Sequence, residues 1–550
     1  MTRRYVTAFA CAAVLALGLT ACGSSGAKKA SGAGPLTLRF AGSSQGAGYP
    51  TPFAAIRGPG QLLTTFMFDT LAFPDVTGQP KPWLAQSWQE SADGKTWTFQ
   101  LHPKVTWQDG KPLTSADVVF SFNYDLHGPG EATGVAQGIN YIRNVTATGP
   151  DTVVIKLKAP EASFLSDIAG AFGVAIIPQH IWAAVSDPAH FQGPQSLIGS
   201  GPYRLKTFDL STGSYDFVAN DGFYLGRPTV QQFQIIPENN PLVALQQGQL
   251  TSASTSNGVF PQAEFNLLSK SFKLLTAPGE FNEALFFNLA GGSPYNQVDF
   301  RHAVAYALNR QDMLDRLADG RGVPGSAGGL GPDNPYLDNN VASYPYDPAK
   351  AKALLDQLGI KAAAGATFRT SPDGASLTIP LLASAADIQQ AQLVQQYLRA
   401  VGLNVQITSV DQPTSDAADA SGHYKMAIVH FGGLGSDPSG LIQRFASSSK
   451  SKSFTRVTGY HDPAFDKLAA EQATTVDVAH RKQLVDQMQV LLANDLPELP
   501  LYIPEQITFV NAKVFHGWAY TPACPPCGAG MNKRMLVSGS AAPAPSNSST

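Results

Sequence analysis

The sequence predicts an α/β fold divided into two or three lobes. Two observations carry that expectation. Capped amphipathic helices alternate with short strands through the second half of the chain, and helix then strand, repeated, argues an α/β lobe. Between a biased N-terminus and a biased C-terminal tail lie on the order of 500 residues, more than one hydrophobic core holds.

The elements can be justified in chain order. Residues 35–40 (PLTLRF) alternate apolar and polar and predict an opening strand. Residues 95–101 (KTWTFQL) alternate too, after the turn signal Asp93-Gly94. Thr114 stands before Ser115-Ala116-Asp117, which predicts a helix with Thr114 as N-cap and Asp117 in the capping-box place. Residues 152–158 (TVVIKLK) predict another strand. Phe300 to Arg310 carries apolar residues at helical spacing. Asp347-Pro348 opens a helix with Asp as N-cap and Pro in the first turn, where a missing N–H is harmless, and Gly359 fits its stop. Ile388 to Val401 repeats the pattern and ends at Gly402, after which residues 404–407 (NVQI) alternate as a strand. Asp462-Pro463 caps one more helix, and residues 481–492 add another.

Composition fits a folded chain: hydrophobic residues make up 43% and charged residues 14%, which excludes disorder as the general state. The net charge of −3 offers no attraction to nucleic acid. Residues 1–21 read as a signal peptide. Arg3 and Arg4 supply the positive end, and Val6 to Leu19 is an apolar run too short to span a bilayer. Thr2-Arg3-Arg4-Tyr5 is a partial match to a twin-Arg export signal. The run ends in Leu19-Thr20-Ala21-Cys22, which resembles the lipobox of bacterial lipoproteins and makes Cys22 the expected lipid anchor. Residues 22–34 then form a Gly/Ser/Ala tether, and 537–550 a disordered tail. No later stretch is long and apolar enough for a membrane helix. Of the four cysteines, Cys11 leaves with the signal, and only Cys524 and Cys527 remain in the mature body. An exported chain favours a disulfide across that short loop over a redox or metal site.

Catalytic and cofactor motifs fail their context tests. Gly42-Ser43-Ser44-Gln45-Gly46 has the letters of a hydrolase nucleophile elbow, but a Pro-rich segment follows where the helix should be. Gly320-Arg321-Gly322-Val323-Pro324-Gly325 has the letters of a dinucleotide loop, but it follows a helix and contains a proline. The ten histidines are scattered without metal-ligand spacing. Neither an enzyme, a cofactor nor a resident metal is implied.

Ordered strings along nearly the whole mature chain resemble the extracellular solute-binding family 5, the oligopeptide-, dipeptide- and nickel-binding lipoproteins of ABC importers. They begin with Pro82-Trp83-Leu84-Ala85-Gln86-Ser87-Trp88 and Asp93-Gly94-Lys95-Thr96-Trp97. The run Trp107-Gln108-Asp109-Gly110-Lys111-Pro112 through Ser121 is the most specific. Gly199-Ser200-Gly201-Pro202-Tyr203, Asp299-Phe300-Arg301-His302-Ala303, Tyr346-Asp347-Pro348 and Leu499-Pro500-Leu501-Tyr502 continue the series. The tryptophans and Phe99 read as scaffold rather than as ligand contacts.

The resemblance implies a two-lobe periplasmic-binding-protein-like fold of type II, hinged between the lobes, with an extra domain inserted in lobe one. Lobe one would span 35–71, 198–286 and 503–536, the inserted domain 72–197, and lobe two 287–502. The implied function is capture of a peptide or other small solute between the lobes, for delivery to the permease and ATPase of an importer. The chain would act as a lipid-anchored monomer at the outer face of the cytoplasmic membrane. A non-peptide ligand (a sugar, a modified peptide or a metal chelate) is the alternative within the family, and an exported hydrolase or sensor the alternative outside it. Carried over, the ligand segments fall on Arg57 and Gly58, after Ile56, and on His430-Phe431-Gly432 through Asp437-Pro438. Arg57 is a candidate partner for a ligand carboxylate. The family's aromatic falls on Phe431. Where peptide binders place an Asp to pair with the ligand ammonium, this chain has Leu434, so Asp437 or another acid would have to substitute.

Overall fold

The computed structural model describes residues 35–42, 48–55, 57–75, 78–129, 138–170, 173–254, 262–277, 281–332, 334–432, 437–449, 455–519 and 533–539. The signal peptide, the tether with Cys22, the segment Ser43 to Ala47, Leu434, the Cys524 and Cys527 loop and most of the C-terminal tail lie outside the described residues.

The opening alternation becomes the edge of a four-stranded sheet. Thr37–Gly42 runs parallel to Gln232–Pro237, and Ser214–Ala219 and Tyr203–Asp209 follow antiparallel. Period-two geometry sends Leu38, Phe40, Phe217 and Phe233 to one face. There they meet the helix Arg57–Met67, whose Phe66 ring lies 4.7 Å from that of Phe233. The Gly199-Ser200-Gly201 turn packs on the end of this helix: Gly201 N donates to Met67 O at 2.8 Å. A Cβ at Gly199 would lie 1.9 Å from the same oxygen, so only glycine permits the approach.

A separate four-stranded antiparallel sheet orders Ala85–Glu90, Thr96–Leu101, Thr152–Leu157 and Ile142–Gly149. The helix Ser115–His127 covers it, and the expected capping box is formed, with Thr114 N donating to Asp117 Oδ2 at 2.9 Å. Trp97, Phe99 and Trp107 are buried in this core, while Trp83 joins Phe73 and Phe223 in a small cluster of its own.

The remaining large sheet has six strands in the order Gly322–Pro324, Glu498–Pro504, Phe281–Phe287, Met426–Gly432, Thr378–Ser384, Asn404–Val410. Alternation divides its residues between two cores. Leu285, Phe287, Met426 and Ile428 face the helices Val298–Ala307, Arg310–Ala318, Pro348–Gln357 and Ile388–Ala400. Ala284, Phe286, Ala427, Val429 and Phe431 face Gly440–Phe445, Pro463–Thr474 and Val478–Asp495. Asp347 and Asp462 cap their helices as the sequence predicts, accepting from Lys350 N at 2.9 Å and from Ala464 N at 2.7 Å. The glycine-rich letters at 320–325 are the edge strand Gly322–Pro324 with its flanks.

Two stretches carry the chain between sheets. Lys273–Ala277 and Gln506–Val510 pair in a three-stranded sheet with Ser252–Ser254. Their continuations, Phe281–Phe287 and Glu498–Pro504, pair in the six-stranded sheet. Sheet membership therefore changes between Ala277 and Phe281 and at Glu505. The expected lobe limits at 286 and 503 fall inside these strands, because the partner of a strand is not written in the strand's own sequence.

Candidate ligand-binding site

In α/β sheets the C-terminal ends of parallel strands leave a crevice in which ligands bind. Here Thr378–Ser384 and Met426–Gly432 run parallel and end at one edge. The strands Phe281–Phe287 and Glu498–Pro504, which begin and end at that same edge, are the ones that continue from the three-stranded sheet.

Alternation puts His430 and Phe431 on opposite faces of this edge. His430 Nδ1 lies 2.6 Å from Glu283 Oε1 on the neighbouring strand. Burial opposes charge on the imidazole, but Glu283 and, behind it, Asp387 raise its pKa. Burial also raises Asp387, whose carboxylate accepts from Ser384 Oγ at 2.6 Å. On the other face the Phe431 ring supports the Arg444 guanidinium at 4.2 Å. Arg444 pairs with Glu498, and both side chains are almost fully buried.

Beyond Gly432 the chain turns at Asp437-Pro438 into the helix Gly440–Phe445. Asp437 Oδ1 caps that turn by accepting from Ser439 N at 2.8 Å. Arg481, from the long helix Val478–Asp495, grips both Asp437 oxygens at 2.9 Å. It also donates to Gln472 Oε1 at 2.9 Å.

A cavity of about 280 Å³ opens here, lined by Phe431, Gly432, Asp437, Ser439, Arg444 and, from across the cleft, Asp167. Asp167 ends the short helix Phe164–Asp167. Its segment is tied to the opposite wall where Ala162 N donates to Ala473 O at 2.9 Å. Tyr141 and Ser163 donate to Asp167 Oδ2 at 2.8 and 2.7 Å. Burial, with the nearby Asp437 and Glu161 charges adding to it and the two hydrogen bonds opposing, pushes the Asp167 carboxyl up to about 7.

Of the residues expected from sequence, His430, Phe431, Gly432 and Asp437 come together at this edge. Arg57 and Gly58 open the helix Arg57–Met67, while the Arg57 side chain and all of Leu434 lie outside the described residues. Sequence reasoning missed Arg444, Arg481, Glu283 and Asp167. None carries a local signal: each reaches the edge from a different element, and only pairing brings them there.

The profile of the bacterial extracellular solute-binding proteins, family 5 (middle), matches residues 79–453, more than half of the chain. The chain belongs to this family. The family 5 chain is 26% identical over 453 residues to the nickel-binding periplasmic protein of Escherichia coli K12, covering 80% of this chain and 85% of that protein. It is 26% identical over 440 residues to the dipeptide-binding protein of the same organism, covering 76% and 80%. Its structure resembles the oligopeptide-binding protein AppA from Bacillus subtilis in complex with a nonapeptide. The TM-score is 0.73 at 21% identity, over 86% of this chain and 94% of that one. The two-lobe α/β fold is thus that of the family. Members of the family are solute-binding proteins. Among the described residues of this family 5 chain, no helix is long and apolar enough to cross a membrane.

Proposed function

We propose that this chain captures short peptides between its two lobes and presents them to the permease of an ABC importer, acting as a binding protein and not as an enzyme. The observation that carries the reading is the cavity at the strand ends beside the double crossover, where Phe431 and Arg444 meet Asp167. The dipeptide-binding relative and the peptide-bound neighbour agree with it. Two lobes that close on a ligand bind it by population shift, because the closed state makes contacts that the open one lacks. We place the lobe limits at the crossovers, 278–280 and Glu505, with 72–197 as the inserted domain. The lipid on Cys22 holds the monomer at the outer face of the cytoplasmic membrane, and Cys524 pairs with Cys527.

The nickel-binding relative favours a second reading, capture of a metal chelate at the same edge. Thermal unfolding of the mature chain separates the two. A ligand at 100 times its Kd stabilises by about 2.7 kcal/mol. Peptides of two to five residues are expected to raise the melting temperature, and nickel–amino-acid chelates and sugars are not. A shift with chelates alone overturns the peptide assignment. For the anchor, Cys22→Ala is expected to move the protein from the membrane to the soluble fraction; retention on the membrane rejects it.

A further inference from the structure

A buried ligand ammonium needs a counter-charge, or its desolvation goes uncompensated. The sequence supplies none at Leu434. The structure disposes of the nearest alternatives. Asp437 gives both oxygens to Arg481, Glu283 is engaged by His430, and Glu498 by Arg444. Asp167 is different. It lines the cavity from the inserted segment, and its partners are two neutral hydroxyls, both on Oδ2. Among the described residues no donor meets its Oδ1.

One of its two donors is shared with a second carboxylate. Ser163 Oγ lies 2.7 Å from Asp167 Oδ2 and 2.9 Å from Glu161 Oε1. A hydroxyl has one proton and can serve only one of them. Ser163 N also donates to Glu161 Oε1 at 3.3 Å, so the oxygen left for a ligand ammonium beside the cavity is Asp167 Oδ1. The opposite wall is built in the reverse sense. Arg444, 2% exposed, lines the same cavity, and its Nε and Nη1 have no hydrogen-bond partner among the described residues. A carboxylate and a guanidinium thus line one space of about 280 Å³, just below the roughly 300–1,000 Å³ that ligand sites occupy.

We propose that Asp167 is the counter-ion for the free ammonium group of a captured short peptide, with Arg444 donating to a carbonyl or carboxylate oxygen of the same ligand; the assignment rests on the peptide reading above. The inserted domain would then decide whether a free amine is recognised, a role that sequence comparison at position 434 alone would deny the chain.

Isothermal titration of the mature chain with tri-alanine and N-acetyl-tri-alanine tests this. In the wild type, acetylation is expected to weaken binding at least tenfold. Asp167→Asn is expected to lose that factor for tri-alanine and to leave N-acetyl-tri-alanine unchanged. If Asp167→Asn binds tri-alanine as the wild type does, the Asp167 assignment falls and the peptide reading stands. If the wild type binds neither peptide, both fall. Should the variant not fold, a wild type that binds both peptides equally still overturns the assignment. The preference for the free amine must shrink as pH drops from 8 to 5.5, since Asp167 and Asp437 line the cavity with Arg444, and Glu161, Tyr141 and Arg481 are their charged or ionisable neighbours. A preference independent of pH overturns the assignment.

Discussion

The Lys533 ammonium lies 3.1 Å from Asp69 Oδ1, and neither side chain is exposed to solvent. Lys533 opens the last described helix, Lys533–Ser538, and Asp69 follows the helix Arg57–Met67, so the contact ties these two helices together. The rings of Phe73 and Trp83 flank the ammonium at 4.5 and 4.6 Å. Trp83 Nε1 and Ser200 Oγ donate to the Asp69 carboxylate at 2.6 and 2.9 Å. Burial, against the pull of Asp69, lowers the Lys533 pKa to about 8. Removing one member of such a pair strands the other. Lys533→Met is expected to cost about 3–5 kcal/mol in urea unfolding, and adding Asp69→Asn to recover part of it. A single variant as stable as the wild type would show that the pair contributes nothing.

The Gly199 turn permits a sharper test of sterics. The nearest obstacle to a side chain there is backbone, Met67 O, which has no rotamer to retreat to. Gly199→Ala should destabilise by about 1–3 kcal/mol, the usual cost of overpacking, or more. Gly110, with open space around its Cβ position, is the control for adding a methyl group, apart from the strain of its positive φ. Thermal unfolding of the two alanine variants makes the comparison.

Arg444 and Glu498 form the buried pair beneath the ligand cavity, 2% exposed each. Arg444→Met should cost about 3–5 kcal/mol by leaving Glu498 uncompensated, whereas Arg444→Met with Glu498→Gln should restore most of the stability. Peptide affinity should stay reduced in the double variant, since the donors facing the ligand remain absent. Recovery of both stability and affinity would show that Arg444 acts only on the fold.

Asp419 lies buried on the helix Gln412–Ser421, and its Oδ1 has no hydrogen-bond partner among the described residues. Burial, followed by the charges of Asp416 and Asp387, raises its pKa from 3.8 to about 8. The folded state then holds a proton that the unfolded chain releases near 4. The associated stability is present below pH 4 and is lost as pH rises to about 8. Asp419→Asn is expected to gain stability at pH 8 and to gain almost nothing at pH 4 in urea unfolding. An equal gain at both pH values would contradict a titration origin.

Much of the fold is legible along the chain. The caps at Thr114, Asp347 and Asp462 are local contacts between residues two or three positions apart, so the sequence specifies them directly. The strands Thr37–Gly42, Thr96–Leu101, Thr152–Leu157 and Asn404–Val410 show their period because each has one face more buried than the other. Glu498–Pro504 is buried on both faces, so it shows no period. Its place between the strands Phe281–Phe287 and Gly322–Pro324 has no local signature.

The sequence by itself determined the capped helices, the scaffold role of Trp97 and Trp107, and the strings that place the chain in family 5. All of these depend on neighbours in sequence or on residue type. Tertiary structure alone decided which sheet each strand joins, that Arg481 takes Asp437, and that Asp167 and Phe431 line one cavity. Asp167 and Phe431 are far apart in the chain and belong to different elements, the helix Phe164–Asp167 and the strand Met426–Gly432. Nothing near either residue encodes the other; only the packing of these elements brings them to one cavity.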